Sequence, residues 1–261
     1  PVPVPAAGER ALRYARSLAC RTLADARGRP AGPVHLNWPL REPLDPGEMH
    51  EELDPSAGAA SRGRSAAAWA TASPSLAAPS PAERAALLEI ARNYPRGLVV
   101  CGPLVPDDAT GAAIAELARL TGWPIFADPI SQLRSGPHVD GAPILAHADL
   151  LLRDPGLAED LAPDVVVRIG DSPVSKALRL ALEARPPEHL ILVDPDRVWH
   201  DPSHLASRVV TADPASLCRA WAEDWRDAAG SARESEYARA WIAADDSARD
   251  ALAAALGDES E

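Results

Sequence analysis

The only lysine among the 26 basic residues of the sequence, Lys176, lies where an ammonium group could bind an anion. It follows a continuous apolar run at residues 165–169 and the loop Gly-Asp-Ser-Pro-Val-Ser. Gly170 permits a tight exit from a strand, and Pro173 and Ser175 favour the start of a helix. Lys176 would then lie in the first helical turn, where its charge opposes the helix dipole unless a carboxylate or phosphate is nearby. We therefore predict that Lys176 contacts an anion, with a solvated or ion-paired lysine as the alternative.

An arginine in a second loop offers another anion contact. Residues 128–136 follow a predicted strand and place Arg134 among aspartate, proline, serine and glycine. Those neighbours are typical of any ordered loop, so a purely structural role is the alternative. A planar guanidinium can bind a carboxylate through two hydrogen bonds, which makes Arg134 a candidate.

The other polar loops carry no complete catalytic or metal-binding motif. Asp194 follows another predicted strand and could bind a ribose hydroxyl, but no glycine-rich phosphate loop precedes it. His200 and His204 have the helical spacing of metal ligands, but Pro202 disfavours that helix and the sequence suggests no third ligand. The sequence shows no Ser/His/Asp order and no close pair of catalytic carboxylates. We therefore predict no catalytic, cofactor-binding or metal-binding residue in this chain.

Apolar strands alternate with amphipathic helices around these loops and predict an α/β fold. The predicted strands are residues 97–101, 124–127, 165–169, 189–193 and 208–211. Helices are predicted to start near Ser80, Asp108, Ser175 and Asp213, with a weaker one at residues 148–152. Strands separated by helices need crossover connections, so we expect a parallel sheet of about five or six strands with helices on both faces. Ligands bind such sheets at the carboxyl ends of the strands.

The rest of the chain departs from this pattern and suggests further domains. Residues 1–44 predict one amphipathic helix and a short strand at 34–38, interpreted as the end of a preceding domain. Residues 45–80 are rich in proline, glycine, serine and alanine, and we interpret them as a linker. Residues 81–228 form the predicted α/β domain, and residues 229–261 a helix that leads to another domain.

Charge and composition exclude several classes of partner. The 261 residues include 26 basic and 38 acidic ones, and the net charge of −12 repels nucleic-acid phosphates. No apolar run approaches the roughly 20 residues that cross a bilayer, and the first residues show no signal-peptide pattern. Cys20, Cys101 and Cys218 are far apart in sequence, which favours neither a disulfide framework nor a zinc site. We therefore expect a cytoplasmic protein without membrane insertion.

Four stretches together resemble one family of thiamine-diphosphate enzymes. They read GPVHLNWPLREPL at residues 32–44, ADPISQLRSG at 127–136, PDVVVRIG at 163–170 and PVSK at 173–176. Their order is that of the 2-succinyl-5-enolpyruvyl-6-hydroxy-3-cyclohexene-1-carboxylate synthases, a family of the menaquinone pathway. The resemblance implies a three-domain enzyme. This chain would supply the end of the pyrimidine-binding domain and the whole Rossmann-like central domain.

The resemblance also implies an activity on two anionic substrates: 2-oxoglutarate is decarboxylated, and the succinyl unit is added to isochorismate. It implies thiamine diphosphate and Mg²⁺ in the full-length enzyme, which would be a dimer or tetramer. The family's basic residue beside the isochorismate pocket matches Lys176, with Ser175 next to it. Some relatives carry an arginine-lined regulatory pocket, for which Arg134 and Arg168 are candidates. The Gly-Asp-Gly motif that holds Mg²⁺ has no match here, so we expect this chain alone to bind no cofactor and to be inactive.

Two other functions stay open at this point. A Rossmann-like module that binds NAD or FAD would share the architecture, although it requires a glycine-rich phosphate loop that the sequence lacks. A purely structural or interaction domain would require no site at all.

Overall fold

A computed structural model describes residues 2–5, 8–42, 63–64, 67–73, 75–104 and 108–257. It divides into two compact units, Pro1–Ser75 and Leu76–Glu261. No helix of the described residues combines the length and the apolarity needed to cross a bilayer.

The first unit contains the predicted amphipathic helix, Glu9–Ala26 (α1), and none of the side chains of α1 is buried. The strand predicted at residues 34–38 is wrong, because these residues have no regular structure and pair with no described strand. An alternating apolar pattern forms a strand only when a neighbour accepts its backbone hydrogen bonds. Much of the predicted linker, residues 45–62, 65–66 and 74, lies outside the described residues. Within the described part of it, the Arg64 guanidinium lies 4.6 Å from the centre of the Trp69 ring.

The second unit contains a six-stranded parallel sheet, which confirms the predicted α/β class. Its strands are Gly97–Cys101 (β1), Ile125–Ala127 (β2), Ile144–Leu145 (β3), Val165–Ile169 (β4), His189–Val193 (β5) and Arg208–Val210 (β6). They lie in the order β3-β2-β1-β4-β5-β6, and each pair of neighbours is parallel. This is the order of doubly wound folds, in which the order of the strands reverses between β1 and β4 while all strands stay parallel. The prediction missed β3, because two residues are too few to show a pattern.

Helices cover both faces of the sheet, as predicted. They are Pro81–Asn93 (α2), Asp108–Thr121 (α3), Ala148–Leu151 (α4), Pro155–Asp160 (α5), Lys176–Ala184 (α6), Pro214–Ala229 (α7) and Glu236–Leu256 (α8). Successive residues of a strand point to opposite faces. Accordingly Val99 and Cys101 pack with α2, α3 and α7, whereas Leu98 and Val100 pack with α4, α6 and α8.

Local side chains determine where these helices begin. The Ser80 and Ser235 hydroxyls accept the N–H groups of Glu83 and Ala238 at 3.1 and 3.0 Å, at the starts of α2 and α8. An N-cap of this kind satisfies one of the free N–H groups of the first turn. The sheet and its capped helices therefore form a rigid frame for the loops at the carboxyl ends of the strands.

Candidate functional site

The loops after β1 and β4 contact each other directly at the position where the strand order of the sheet reverses. The Gly102 N–H donates to the Ile169 carbonyl at 3.0 Å, and the Asp171 N–H donates to the Pro103 carbonyl at 3.1 Å. A Cβ atom added to Gly102 would lie only 1.8 Å from the Asp171 carbonyl oxygen. The described residues of the two loops thus leave no space between them for a pyrophosphate, which Rossmann enzymes bind in this crevice. This contact argues against the NAD or FAD alternative.

The segment before Lys176 is attached to two other parts of the fold. The Val174 N–H donates to Asp128 Oδ2 at 2.9 Å, which joins it to the loop after β2. The Ser175 hydroxyl donates to Asp149 Oδ1 of α4 at 2.5 Å and accepts the Leu178 N–H at 3.0 Å. Ser175 is therefore the N-cap of α6, as the sequence predicts, and it also joins α6 to α4.

Lys176 is the first residue of α6, and its side chain is exposed. It forms no ion pair with any residue that the structure describes. A cation at the positive end of a helix is unfavourable by a few tenths of a kcal/mol to about 1 kcal/mol unless an anion compensates it. Lys176 lines a groove of about 970 Å³ between α6 and the α4–α5 segment. Apolar side chains such as Leu152 and Ala181 line it together with three cations and two carboxylates, which are Arg153, Lys176, Arg185, Asp149 and Glu159. An anionic ligand with an apolar body would suit both the cation and the groove.

Arg134 lies in the same neighbourhood. Its Nε donates to the Ala127 carbonyl at 2.8 Å, at the carboxyl end of β2, and its side chain is exposed. The hydrogen bond from Ser175 holds the pKa of Asp149 below its ordinary value, and the charges of Arg153 and Arg134 lower it further. The structure thus brings together three of the four residues singled out from the sequence: Arg134, Ser175 and Lys176.

Arg168 faces different partners. Only 8% of its side chain is exposed, and it pairs at 3.4 Å with Asp201, whose side chain is 3% exposed. It also donates to the His200 carbonyl. Burial lowers the pKa of the Arg168 guanidinium, and the charges of Asp201 and Asp171 oppose this shift. Arg168 therefore holds the loop after β5 in place, and its regulatory role stays a prediction.

The sequence reasoning missed two carboxylates of this edge. Asp149 contacts Ser175 across 26 residues of sequence, and Asp171 Oδ1 lies 2.7 Å from His200 Nδ1. No local spacing relates either pair, so only the sheet order could have placed them together. His200 thus has a carboxylate partner on the next loop. The described residues contain no group of three His, Cys, Asp or Glu that could hold a metal.

Replacing Ser175 with alanine removes both the cap of α6 and the hydrogen bond to Asp149. We expect the free energy of unfolding to fall by about 1 kcal/mol near pH 7, the usual effect of losing an N-cap. An aspartate with a lowered pKa in the folded state stabilises the fold above its unfolded pKa of about 3.9, and this stabilisation is lost as the pH falls through the folded value. The difference between wild type and S175A should therefore shrink below about pH 4.

Urea unfolding at neutral and acidic pH measures this difference. Ser247→Ala is a matched control, because that hydroxyl donates only to the Ala243 carbonyl within α8. An equal loss for S175A at both pH values would contradict a contribution through Asp149.

Comparison with known proteins finds a matching family model and several similar proteins. Residues 51–259 match a family model described as the middle domain of thiamine pyrophosphate. The chain is 40% identical over 230 residues to 2-succinyl-5-enolpyruvyl-6-hydroxy-3-cyclohexene-1-carboxylate synthase of Geobacillus thermodenitrificans, covering 83% of this chain and 37% of the relative. The proteins of the same name from Geobacillus kaustophilus and Halobacterium salinarum are 41% and 38% identical, covering 83% and 94% of this chain and 38% and 43% of the relatives. The chain thus spans about two fifths of the length of the curated relatives it matches.

Proposed function

Because this chain belongs to the family of thiamine pyrophosphate middle domains, we propose that it is the central part of a thiamine-diphosphate-dependent synthase of menaquinone biosynthesis. The match over residues 51–259 and the printed name of the relatives support this proposal. The whole enzyme would be a transferase that decarboxylates 2-oxoglutarate and adds the succinyl unit to isochorismate.

Within that enzyme, Lys176 would bind a carboxylate of isochorismate, and Ser175 would form the same substrate-binding segment by holding the start of α6. The observation that carries this role is the exposed ammonium of Lys176 at the start of α6, without an ion-pair partner among the described residues. Lys176 adds a cation to the free N–H groups of the first helical turn, and both attract an anion. Ser175 contributes by fixing where α6 begins, and Arg134 adds positive charge nearby.

The described residues offer neither a Gly-Asp-Gly motif nor a group of three metal-binding side chains for the diphosphate and its Mg²⁺. Asp171, in the nearest match to a Gly-Asp motif, already accepts the Ser172 N–H at 2.6 Å and faces His200. We therefore propose that parts of the enzyme beyond this chain hold the cofactor, that this chain alone is inactive, and that its task is to bind and orient substrate. That the enzyme is homo-oligomeric and cytoplasmic stays a prediction.

Replacing Lys176 with alanine in the full-length enzyme tests this function. We expect the KM for isochorismate to rise about 5- to 150-fold, which corresponds to the loss of about 1–3 kcal/mol of a charged contact. The KM for 2-oxoglutarate and the kcat should change little, because the lost interaction is made equally in the ground state and the transition state. Steady-state kinetics with each substrate varied in turn measures these constants.

Arg179→Ala is the matched control, because Arg179 is an exposed cation one turn further along α6 that already pairs with Glu183 at 2.8 Å. It should leave both KM values unchanged. Unchanged kinetics of K176A would remove Lys176 from the substrate site and favour a purely structural role for this domain.

A further inference from the structure

We propose that Asp128 is a positioning residue that holds Lys176 in place for its substrate, an inference that rests on the function proposed above. Asp128 follows β2 and is completely buried. A buried carboxylate destabilises a fold unless hydrogen bonds compensate its lost hydration. Its partners therefore indicate what this aspartate does in the fold.

The two oxygens of Asp128 bind two different loops. Oδ1 accepts the Ile130 N–H at 3.0 Å and shapes the turn after β2. Oδ2 accepts the Val174 N–H at 2.9 Å, across 46 residues of sequence. The first bond is local and would form in many aspartate turns. The second bond joins the β2 loop to the segment that leads into α6.

This second bond lies close to the proposed substrate contact. Val174 precedes Lys176 by two residues, and consecutive Cα atoms are about 3.8 Å apart. The other contact of this segment is the bond of Ser175 to Asp149 on α4. Asp128 and Asp149 therefore attach the backbone before Lys176 from two sides. Loss of the Asp128 bond would let Val174 move and would change where the Lys176 ammonium lies relative to the groove.

Replacing Asp128 with asparagine leaves one acceptor oxygen for the two N–H groups that the carboxylate binds. The bond to Val174 breaks when the amide NH₂ faces the Val174 N–H, which it cannot accept. Val174→Pro breaks the same bond from the other side by removing the donor. Val174 is 71% exposed, so this second variant places no new group in the core.

The experiment compares D128N, V174P, K176A and the double variant D128N/K176A in the full-length enzyme. We expect D128N and V174P each to raise the KM for isochorismate about two- to tenfold, the effect of losing one hydrogen bond. The kcat and the KM for 2-oxoglutarate should stay within about twofold. Because Asp128 acts through Lys176, the KM of the double variant should match that of K176A within about twofold.

Asp213→Asn is the matched control. Asp213 is also buried, and its Oδ1 caps α7 on the opposite face of the sheet by accepting the Ser216 N–H at 2.9 Å. It should leave the KM for isochorismate unchanged even where it lowers stability.

Several outcomes would overturn the positioning role of Asp128. They are an unchanged KM in V174P, an equal change of both KM values, or a D128N effect that multiplies the K176A effect. An unchanged KM for isochorismate in K176A would instead refute the proposed role of Lys176, and with it any role of Asp128 through that residue. A raised KM in K176A with none in D128N and V174P would refute the Asp128 inference alone.

Discussion

Gly102→Ala is expected to lower the free energy of unfolding by about 3 kcal/mol or more, at the upper end of what overpacking causes. The new Cβ atom would lie 1.8 Å from the Asp171 carbonyl oxygen and 3.2 Å from the Pro173 nitrogen. Both atoms belong to the backbone, which cannot rotate away as a side chain can. The β1 and β4 loops would have to separate, and the bonds of Gly102 to Ile169 and of Asp171 to Pro103 would lengthen or break.

Urea unfolding of the variant measures this loss. Gly32→Ala is the control, because no heavy atom lies within 4 Å of the position of its Cβ. A loss for G102A no greater than that for G32A would show that the two loops are not in contact.

Gly97→Ala, at the other end of β1, distinguishes an effect on the KM for isochorismate from a loss of stability alone. Its Cβ would lie 2.1 Å from the buried Trp123 ring, so this variant should also be destabilised. Gly97 lies at the amino end of the strand, remote in the sheet from the loop that leads to Lys176. In the full-length enzyme, only G102A should therefore raise the KM for isochorismate at a temperature where both variants are folded.

Much of the fold could be predicted because its strands are buried on both faces. A strand of this kind is a continuous apolar run between turn residues, and the predicted bounds of β1, β4 and β5 are those of the structure. Ser80, Ser175 and Asp213 indicated helix starts because an N-cap bonds only three residues ahead. The strand predicted at residues 34–38 failed because an apolar pattern does not say whether a partner strand exists.

The candidate site was harder to predict than the elements around it. Lys176 was conspicuous because it is the only lysine and it opposes the helix dipole. The carboxylates that support this segment gave no such signal in the sequence. Asp128 binds Val174 across 46 residues, and Asp149 binds Ser175 across 26 residues. The Asp128 contact requires β2 and β4 both to flank β1, and the Asp149 contact requires α4 and α6 to cover the same face of the sheet. No local pattern determines either arrangement.

Arg168→Met is expected to lower the free energy of unfolding by about 3–5 kcal/mol, because it leaves a buried carboxylate without its cation. Asp201 would keep the Ala206 N–H at 2.8 Å as a donor but would lose the guanidinium. Asp201→Asn conversely leaves the buried guanidinium of Arg168 without its ion partner. Each single variant therefore contains an uncompensated charge in a region of low dielectric constant.

The double variant R168M/D201N removes both charges together. We expect it to be less destabilised than the sum of the two single variants, since neither group is then left charged and unpaired. The exposed Arg249–Asp246 pair at 2.7 Å is the matched control, and its cycle should show little coupling because solvent screens it. Urea unfolding of all six variants measures the two coupling energies. Additive losses for Arg168 and Asp201 would contradict a stabilising interaction between the two buried charges.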